Sequence, residues 1–556
     1  MWIFRSKRVY LIDFCKMRVR ICIATILFAV MSVITVEAAP RFAVNIIVSG
    51  LRQGDIARYE KNLGKGGFLR LRSEGVEYAE CYADYAPTSS EAGLATLATG
   101  TFPSVHGIFS SVVFDRTTGK ENGLCRKTQL LPEGTLRKEV EYEYMTEPFV
   151  AQTLSEAVLA SSERNRVITI AHNAVSAMIL AGSSGECYWI DKNGKWNTAE
   201  CYTDKLPSWV RACNADEINR VFATNTWYGR YTRDRYRNKN FSNITIYEES
   251  VPKRPRSNRK LAEGWVDNLR SMPSGNFAIF EFAKRAVSSL LPLHVEDECK
   301  VLNICLDVPR TIAERYGTDS IEYEDMLYSL DAVLSEFLIF LYAQIPSRDE
   351  LLVTLSSDSG ISPTKMDNSD TSRFNPRQFE VLMNAFLSAR YGQDSWILGY
   401  TNGSLYLNHD VIYRHKVSVA EVQNEVASFA LQYRGVATAV TATAMRSAQF
   451  SRGAMSLVQN GYNPRRSGDV MIVLDAERIE YDVKRVAMSG SIYNYDRHVP
   501  FIVCGAGITP REEMQRISNE QIAPSLALLL GVERPQSSEA EIVVIDMIKK
   551  QDYDKR

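Results

Sequence analysis

Six unbroken apolar runs punctuate the chain: Phe42–Ser49 (FAVNIIVS), Arg166–Ala171 (RVITIA), Lys300–Leu306 (KVLNICL), Leu351–Ser356 (LLVTLS), Val470–Leu474 (VMIVL) and Pro500–Cys504 (PFIVC). Continuous rather than alternating hydrophobicity marks strands buried on both faces, as in a parallel sheet. Helical spacing lies between the runs. It predicts helices over Phe149–Ala160, Ile321–Ile345 and Ser518–Leu530, the last capped by Ser518 or Asn519. In the longest, Met326, Leu327, Leu330, Val333, Leu334, Phe337, Leu338 and Leu341 recur at the period of one helical face. The alternation predicts a doubly wound α/β fold with a mostly parallel sheet and helices on both faces. Ligands of such sheets bind beyond the carboxyl ends of the strands, which directs attention to Ser49–Gly50, His172 and Ser357–Gly360.

Two stretches interrupt the pattern. Residues 183–275 are rich in Trp, Tyr, Asn and Arg and read as an inserted, cap-like subdomain. Arg230, Arg233, Arg235, Arg237 and Lys239 form one basic run there, and Lys253–Lys260 a second. Both read as solvated faces rather than a nucleic-acid surface. Residues 361–468 form a second insertion, with a capping box Ser418–Glu421 opening a helix to about Tyr433, then a Thr-rich strand Val436–Ala444. The core is then divided into residues 39–182, 276–360 and 469–556.

Residues 1–38 have a different character. Arg18 and Arg20 precede the apolar Ile21–Val36, and small residues around Ala38 offer a cleavage point. This predicts a Sec-type signal peptide, starting at Met1 or Met17, and a periplasmic or secreted protein with no stable membrane span after cleavage. Without 1–38 the chain carries 59 basic and 64 acidic residues, a net charge of −5. Such a balance implies no affinity for nucleic acid. Eight cysteines remain, and Cys187 and Cys201, flanking a hairpin-like stretch, are the expected disulfide pair.

Candidate chemistry is sparse. GxSxG, GxxxxGK[ST], GxGxxG and HExxH are all absent, and the chain has only six histidines. Of these, His498 precedes a strand and reads as structural. The stretch Tyr85–Gly100 (YAPTSSEAGLATLATG) places hydroxyls before a short helix Glu91–Thr99 that Gly100 ends. A hydroxyl there can cap the helix or act as a nucleophile at its positive end, and residue physics favours the cap.

Five stretches resemble the alkaline phosphatase superfamily: VSGLRQGDIARY (48–59), PTSSEAGLATLATGTFPSVHGI (87–108), VQNGYNPRRSGDVMIVL (458–474), SGSIYNYDRHVPFIVCGAGI (489–508) and IAPSLALLLGV (522–532). The nearest branch is the periplasmic phosphate-irrepressible alkaline phosphatases, kin to nucleotide pyrophosphatases/phosphodiesterases. The resemblance implies two zinc ions at the strand ends and a Thr or Ser nucleophile, which falls at Ser90. The metal-ligand positions fall at Ser49, Arg310, Glu314, Asp358, Ser359 and Ser489, of which only Asp358 keeps the expected side chain. The phosphate-contacting positions fall at Ser111 and near Asn173 and Val175.

The departures are coordinated. Zinc takes three or four Cys, His or carboxylate ligands, and a guanidinium at 310 stays charged at any working pH. The expectation is an exported phosphatase-fold protein that has lost its zinc site, carries no cofactor, and works in binding or assembly. Its partners would be a phosphate-bearing or other anionic ligand, or a protein or glycan met through the insertions. The alternative is an active phosphomonoesterase or phosphodiesterase with Ser90 as nucleophile. Glu314, Asp358 and Asp307 would then supply oxygens better suited to Mg²⁺ or Ca²⁺ than to zinc.

Overall fold

The computed structural model describes residues 39–127, 143–145, 151–223, 226–240, 244–246, 264–291, 298–345, 347–364, 373–482, 484–505 and 508–543. The proposed signal peptide and the basic run Lys253–Lys260 lie outside them.

A nine-stranded sheet forms the centre. In spatial order its strands are Trp196–Asn197, Glu186–Ile190, Arg166–Ala171, Lys300–Leu306, Phe42–Val48, Leu351–Ser356, Phe501–Gly505, Val76–Tyr78 and Arg511–Glu513. The five from Glu186–Ile190 to Leu351–Ser356 run parallel, and Phe501–Gly505 returns antiparallel beside Leu351–Ser356. Five of the six apolar runs are therefore strands of this sheet. Val470–Leu474 is not. It joins Ile397–Thr401, Ser404–Leu407 and Val436–Thr441 in a separate four-stranded sheet. Its burial comes from covering that second sheet rather than from a place in the first.

Helices cover both faces of the main sheet. Along Phe42–Val48 the side chains alternate. Phe42, Val44, Ile46 and Val48 meet the helices Ser274–Leu290 and Ile321–Gln344. Ala43 and Ile47 meet the helices Ser90–Thr99, Ala174–Ala181 and Ile522–Leu529. Ile321–Gln344 is long and apolar enough to cross a membrane, but 61% of its most apolar window is packed inside the protein. That burial makes it a core helix.

One layer of the sheet is polar. Asn45 sits opposite Asn303 and Thr354, and Asn303 opposite Thr169. Asn45 Nδ2 donates to Asn303 Oδ1 at 2.8 Å, and Thr354 Oγ1 to Asn45 Oδ1 at 3.0 Å. Asn303 Nδ2 donates onward to Thr169 Oγ1 and to Ser155 Oγ, at 3.2 and 3.1 Å. The ladder crosses four adjacent strands through the middle of the core.

The remaining elements follow their local signals with shifts. The helix expected over Phe149–Ala160 is Leu154–Ser161, started by a Thr153–Glu156 capping box. Ser518 precedes a short turn before Ile522–Leu529, and its amide donates to Gln521 Oε1 at 2.8 Å. Ser418 Oγ accepts from the Glu421 amide at 3.0 Å and caps Val419–Ala430. The Thr-rich strand stops at Thr441, whose side chain accepts from the Ala444 amide and starts a helix. The stretch from residue 183 begins as two strands at the edge of the main sheet. Its first basic run is strapped to the long helix. Asp325 accepts from the Arg230 amide, Trp227 Nε1 and the Tyr236 hydroxyl, and Glu324 from the amides of Arg237 and Asn238. The expected Cys187–Cys201 bridge is not formed: both are free thiols, Cys187 buried in its strand and Cys201 exposed after the edge.

Candidate functional site

The carboxyl end of the central strand, Phe42–Val48, meets the start of the helix Ser90–Thr99 and the loop after Leu351–Ser356. Three neighbouring hydroxyls divide the work at that helix start. Ser89 is the cap: its Oγ accepts from the Ala92 amide at 3.1 Å and donates to the Phe109 carbonyl at 2.8 Å. Ser90 is released from that task. It is 2% exposed, and its Oγ donates to Asp358 Oδ2. The helix can approach so closely because residue 93 is glycine. A Cβ at Gly93 would lie 1.8 Å from the Asp358 carbonyl oxygen.

Asp358 is fully buried and saturated with donors. Ser49 Oγ donates to Oδ2 at 2.6 Å, and the amides of Gly50 and Ser359 to Oδ1 at 3.1 and 2.7 Å. Burial still pushes its carboxyl above the ordinary range, against the pull of Arg310 and these donors. Arg310 stands on the helix Val308–Tyr316. Its Nε donates to Ser49 Oγ at 3.1 Å, and its Nη1 pairs with Glu314 Oε1 at 3.4 Å. Burial works to lower the guanidinium. Glu314, Glu91, Asp307 and Asp358 outweigh it and hold the charge firmly in place. Glu314 is shared with Arg485 Nε, at 3.5 Å.

Ser90, Ser49, Asp358, Arg310 and Glu314 thus form one continuous chain of polar contacts, buried at Ser90, Ser49 and Asp358 and partly exposed at Arg310 and Glu314. Ser359 is attached to it through its amide, while its buried Oγ has no partner. The other expected residues are elsewhere. Ser111 is exposed, and its carbonyl accepts from the Leu124 amide. Asn173 caps the helix Ala174–Ala181 through Ser176, and Val175 packs against the apolar core. Ser489 lines a neighbouring cavity. Asp307 is held by Ser176 Oγ at 2.7 Å and the His172 amide at 3.3 Å. His172 is buried beside it, and burial lowers its imidazole to about 3, so it stays neutral. His498 is structural, within 2.7 Å of the Ala79 carbonyl and stacked on Tyr82.

Sequence reasoning missed three participants: Glu91 and Asp307 as charges around Arg310, and Arg485 as the second cation on Glu314. It also assigned no base to Ser90, whereas Asp358 touches it. Arg485 precedes the Ser489 position by only four residues, the one local hint available. As a metal site the donor set is poor. The two carboxylates nearest the strand end, Asp358 and Glu314, are already engaged by hydroxyls, amides and guanidinium groups. Hydroxyls and a cation fill the other positions, and zinc is not suited to them.

A mostly parallel sheet, helices on both faces and a polar cluster at the carboxyl end of its central strand define an alkaline-phosphatase-like α/β protein. The chain belongs to the type I phosphodiesterase / nucleotide pyrophosphatase family, whose model matches residues 43–478. It is similar to a protein named calcium-transporting ATPase from Myroides odoratus, 26% identical over 515 residues, covering 90% of this chain and 93% of that one. It is likewise similar to the alkaline phosphatase PafA of Elizabethkingia meningoseptica, 25% identical, covering 90% and 93%. The crystal structure of wild-type PafA superposes with a TM-score of 0.79 over 91% of this chain and 98% of that one, at 22% identity. At that identity the match establishes the fold.

Proposed function

We propose that this protein is an exported member of the family that has given up metal-dependent phosphate ester hydrolysis and works by binding or assembly. One observation carries the reading. The Arg310 guanidinium is bonded to Ser49 and Glu314, two positions that the family pattern gives to metal ligands. A fixed cation at that point repels a dication and neutralises the carboxylates that would have held one. The coordinated replacement of the other positions by serine agrees with it. The apolar run Ile21–Val36 behind Arg18 and Arg20 supports export, and N-terminal sequencing of the mature protein should begin near Ala39.

A second reading is favoured by one contact. Ser90 donates to a carboxylate that burial makes more basic, an arrangement that can activate a hydroxyl nucleophile. One experiment separates the two. The purified chain is dialysed against zinc, magnesium or calcium, its metal content measured, and p-nitrophenyl phosphate and its bis-ester offered. The first reading expects substoichiometric metal and buffer-level hydrolysis in every case. Turnover that Ser90→Ala abolishes would overturn it and establish the second.

A further inference from the structure

The segment from Arg230 to Lys239 carries five cations in ten residues. From Arg235 onward burial alternates: Arg235, Arg237 and Lys239 are exposed, while Tyr236 and Asn238 are buried. Residues two apart in a chain are separated by at most about 7 Å between Cα atoms. That is inside the screening length of about 8 Å at physiological salt, so the outward cations repel one another. The fold holds them together all the same. The Tyr236 hydroxyl donates to buried Asp325, and the amides of Arg237 and Asn238 to buried Glu324. Asn238 Nδ2 donates to the Tyr59 hydroxyl at 3.0 Å and to the Ser320 carbonyl at 2.9 Å. The Ile321 amide donates to the Asn240 carbonyl at 2.7 Å. A loop that merely needs solvation has no use for so many buried anchors.

A second segment widens the strip. Asn62 Nδ2 donates to the Arg235 carbonyl at 2.7 Å, and Arg235 Nη2 to Asn62 Oδ1 at 3.1 Å. Arg237 Nη1 reaches the Arg58 carbonyl at 3.4 Å. These contacts bring half-exposed Arg58 and exposed Lys61 alongside. Three surface carboxylates stand among them. Asp319 pairs with Arg58 at 2.7 Å, Asp234 accepts from the Thr232 hydroxyl at 2.6 Å, and Glu60 faces Arg72 at 3.9 Å. Beneath, Glu324 and Asp325 are already engaged by the donors above. Among the described residues the strip thus sets seven cations against three surface carboxylates, on a chain whose net charge without residues 1–38 is −5.

These features select a partner. Five of the seven cations are arginines, whose planar forks match carboxylate and sulfate oxygens. A narrow row of regularly placed cations suits a linear polyanion. None of the strongly exposed large apolar side chains lies within 53–65 or 226–240, so nothing there enters a bilayer. Nor is a stack of open rings offered to bases: Tyr231 carries the Arg235 guanidinium over its ring at 4.4 Å, Tyr236 is buried and Tyr228 half-buried. We propose that this strip binds a linear acidic polysaccharide, carboxylated or sulfated. The choice over nucleic acid rests also on the export proposed above. The strip shares no residue with the Ser90–Asp358–Arg310 cluster and does not depend on whether that cluster is active.

The test uses the purified mature chain and fluorescence anisotropy of labelled oligogalacturonate and heparin oligosaccharides. Oligothymidylate, polyglutamate and vesicles of anionic phospholipid are the competitors. Binding should be saturable with at least one polysaccharide, tighter than with any competitor, and weakened tenfold or more between about 50 and 200 mM NaCl. The triple variant Arg235→Gln, Arg237→Gln, Lys239→Gln should weaken it by about tenfold or more and lower the slope of log affinity against log salt by about two. Arg377→Gln, Arg390→Gln and Arg434→Gln together remove the same charge from exposed positions of the second insertion and should leave it unchanged. Far-UV circular dichroism verifies folding, and Lys61→Gln with Arg233→Gln replaces the triple variant if that one fails. Purified protein decouples this result from export, which N-terminal sequencing reads separately. No binding to either polysaccharide, tighter binding to any competitor, or equal losses in the strip and control variants would each overturn the proposal.

Discussion

Replacing Arg310 with methionine keeps the length of the side chain and removes its charge. Glu314 then loses one of its two cations, Ser49 loses a donor, and Asp358, Asp307 and Glu91 lose the positive charge they face. Breaking a buried ion pair on one side costs about 3–5 kcal/mol. The side chains of Arg310 and Glu314 are 19% and 14% exposed, so solvent recovers part of this and the lower end, about 3 kcal/mol, applies. Unfolding entropy of roughly 2 cal/mol/K per residue, over about 500 residues, converts that to a fall in Tm of about 3 °C. The effect also has a sign in pH. Burial already holds Asp358 and Asp307 above the ordinary carboxylate range. Without the guanidinium both rise further, so the folded variant keeps protons that the unfolded chain releases near pH 4. Stability from such raised acids is fully present below the unfolded value and is lost as pH climbs through the folded one. Calorimetry at pH 5 and pH 8 should therefore find the larger deficit at pH 8. An unchanged or raised Tm, or equal deficits at the two pH values, would refute the role assigned to Arg310.

Two further outcomes follow from the same geometry. Gly93→Ala forces a methyl to within 1.8 Å of the Asp358 carbonyl oxygen, so the helix must back away. The cost should be about 3 kcal/mol in urea unfolding, and a cost below about 0.5 kcal/mol would contradict the close approach. The combination Ser49→Asp, Arg310→Asp, Glu314→His, Ser359→His and Ser489→His rebuilds the ligand pattern around Asp358. It should bring about two zinc ions per chain by elemental analysis. A folded but zinc-free product would show that these positions do not converge.

Much of the fold was legible because burial on both faces leaves a clear trace: runs such as LLVTLS and KVLNICL put apolar side chains on both faces of the sheet. The same trace misassigned Val470–Leu474, since hydrophobicity records that a strand is covered and not by which sheet. The failed Cys187–Cys201 pairing has a similar origin, because spacing along a hairpin does not say that one thiol is buried in a strand while the other lies exposed beyond the edge. Three adjacent residues, Thr88, Ser89 and Ser90, share a hydroxyl, and only the backbone path decides which one caps. Ser89 does, and that choice leaves Ser90 facing Asp358. The cluster itself was readable only through the family pattern. Glu91 and Arg485 act through space, along directions that sequence proximity does not encode.

The polar ladder across the central strands has a consequence for how the sheet is assembled. Parallel strands rich in Val, Ile and Leu can slide past one another with little loss of apolar contact. Asn45, Asn303, Thr169 and Thr354 make such a slide visible to the energy. A shift by one residue would set each of them against an aliphatic neighbour. At about 1–3 kcal/mol for each stranded polar group, four would cost about 4–12 kcal/mol, comparable to the whole stability of a folded domain. The ladder thus acts as a combination lock: four separate segments, up to 309 residues apart in sequence, must align together before the sheet is worth keeping.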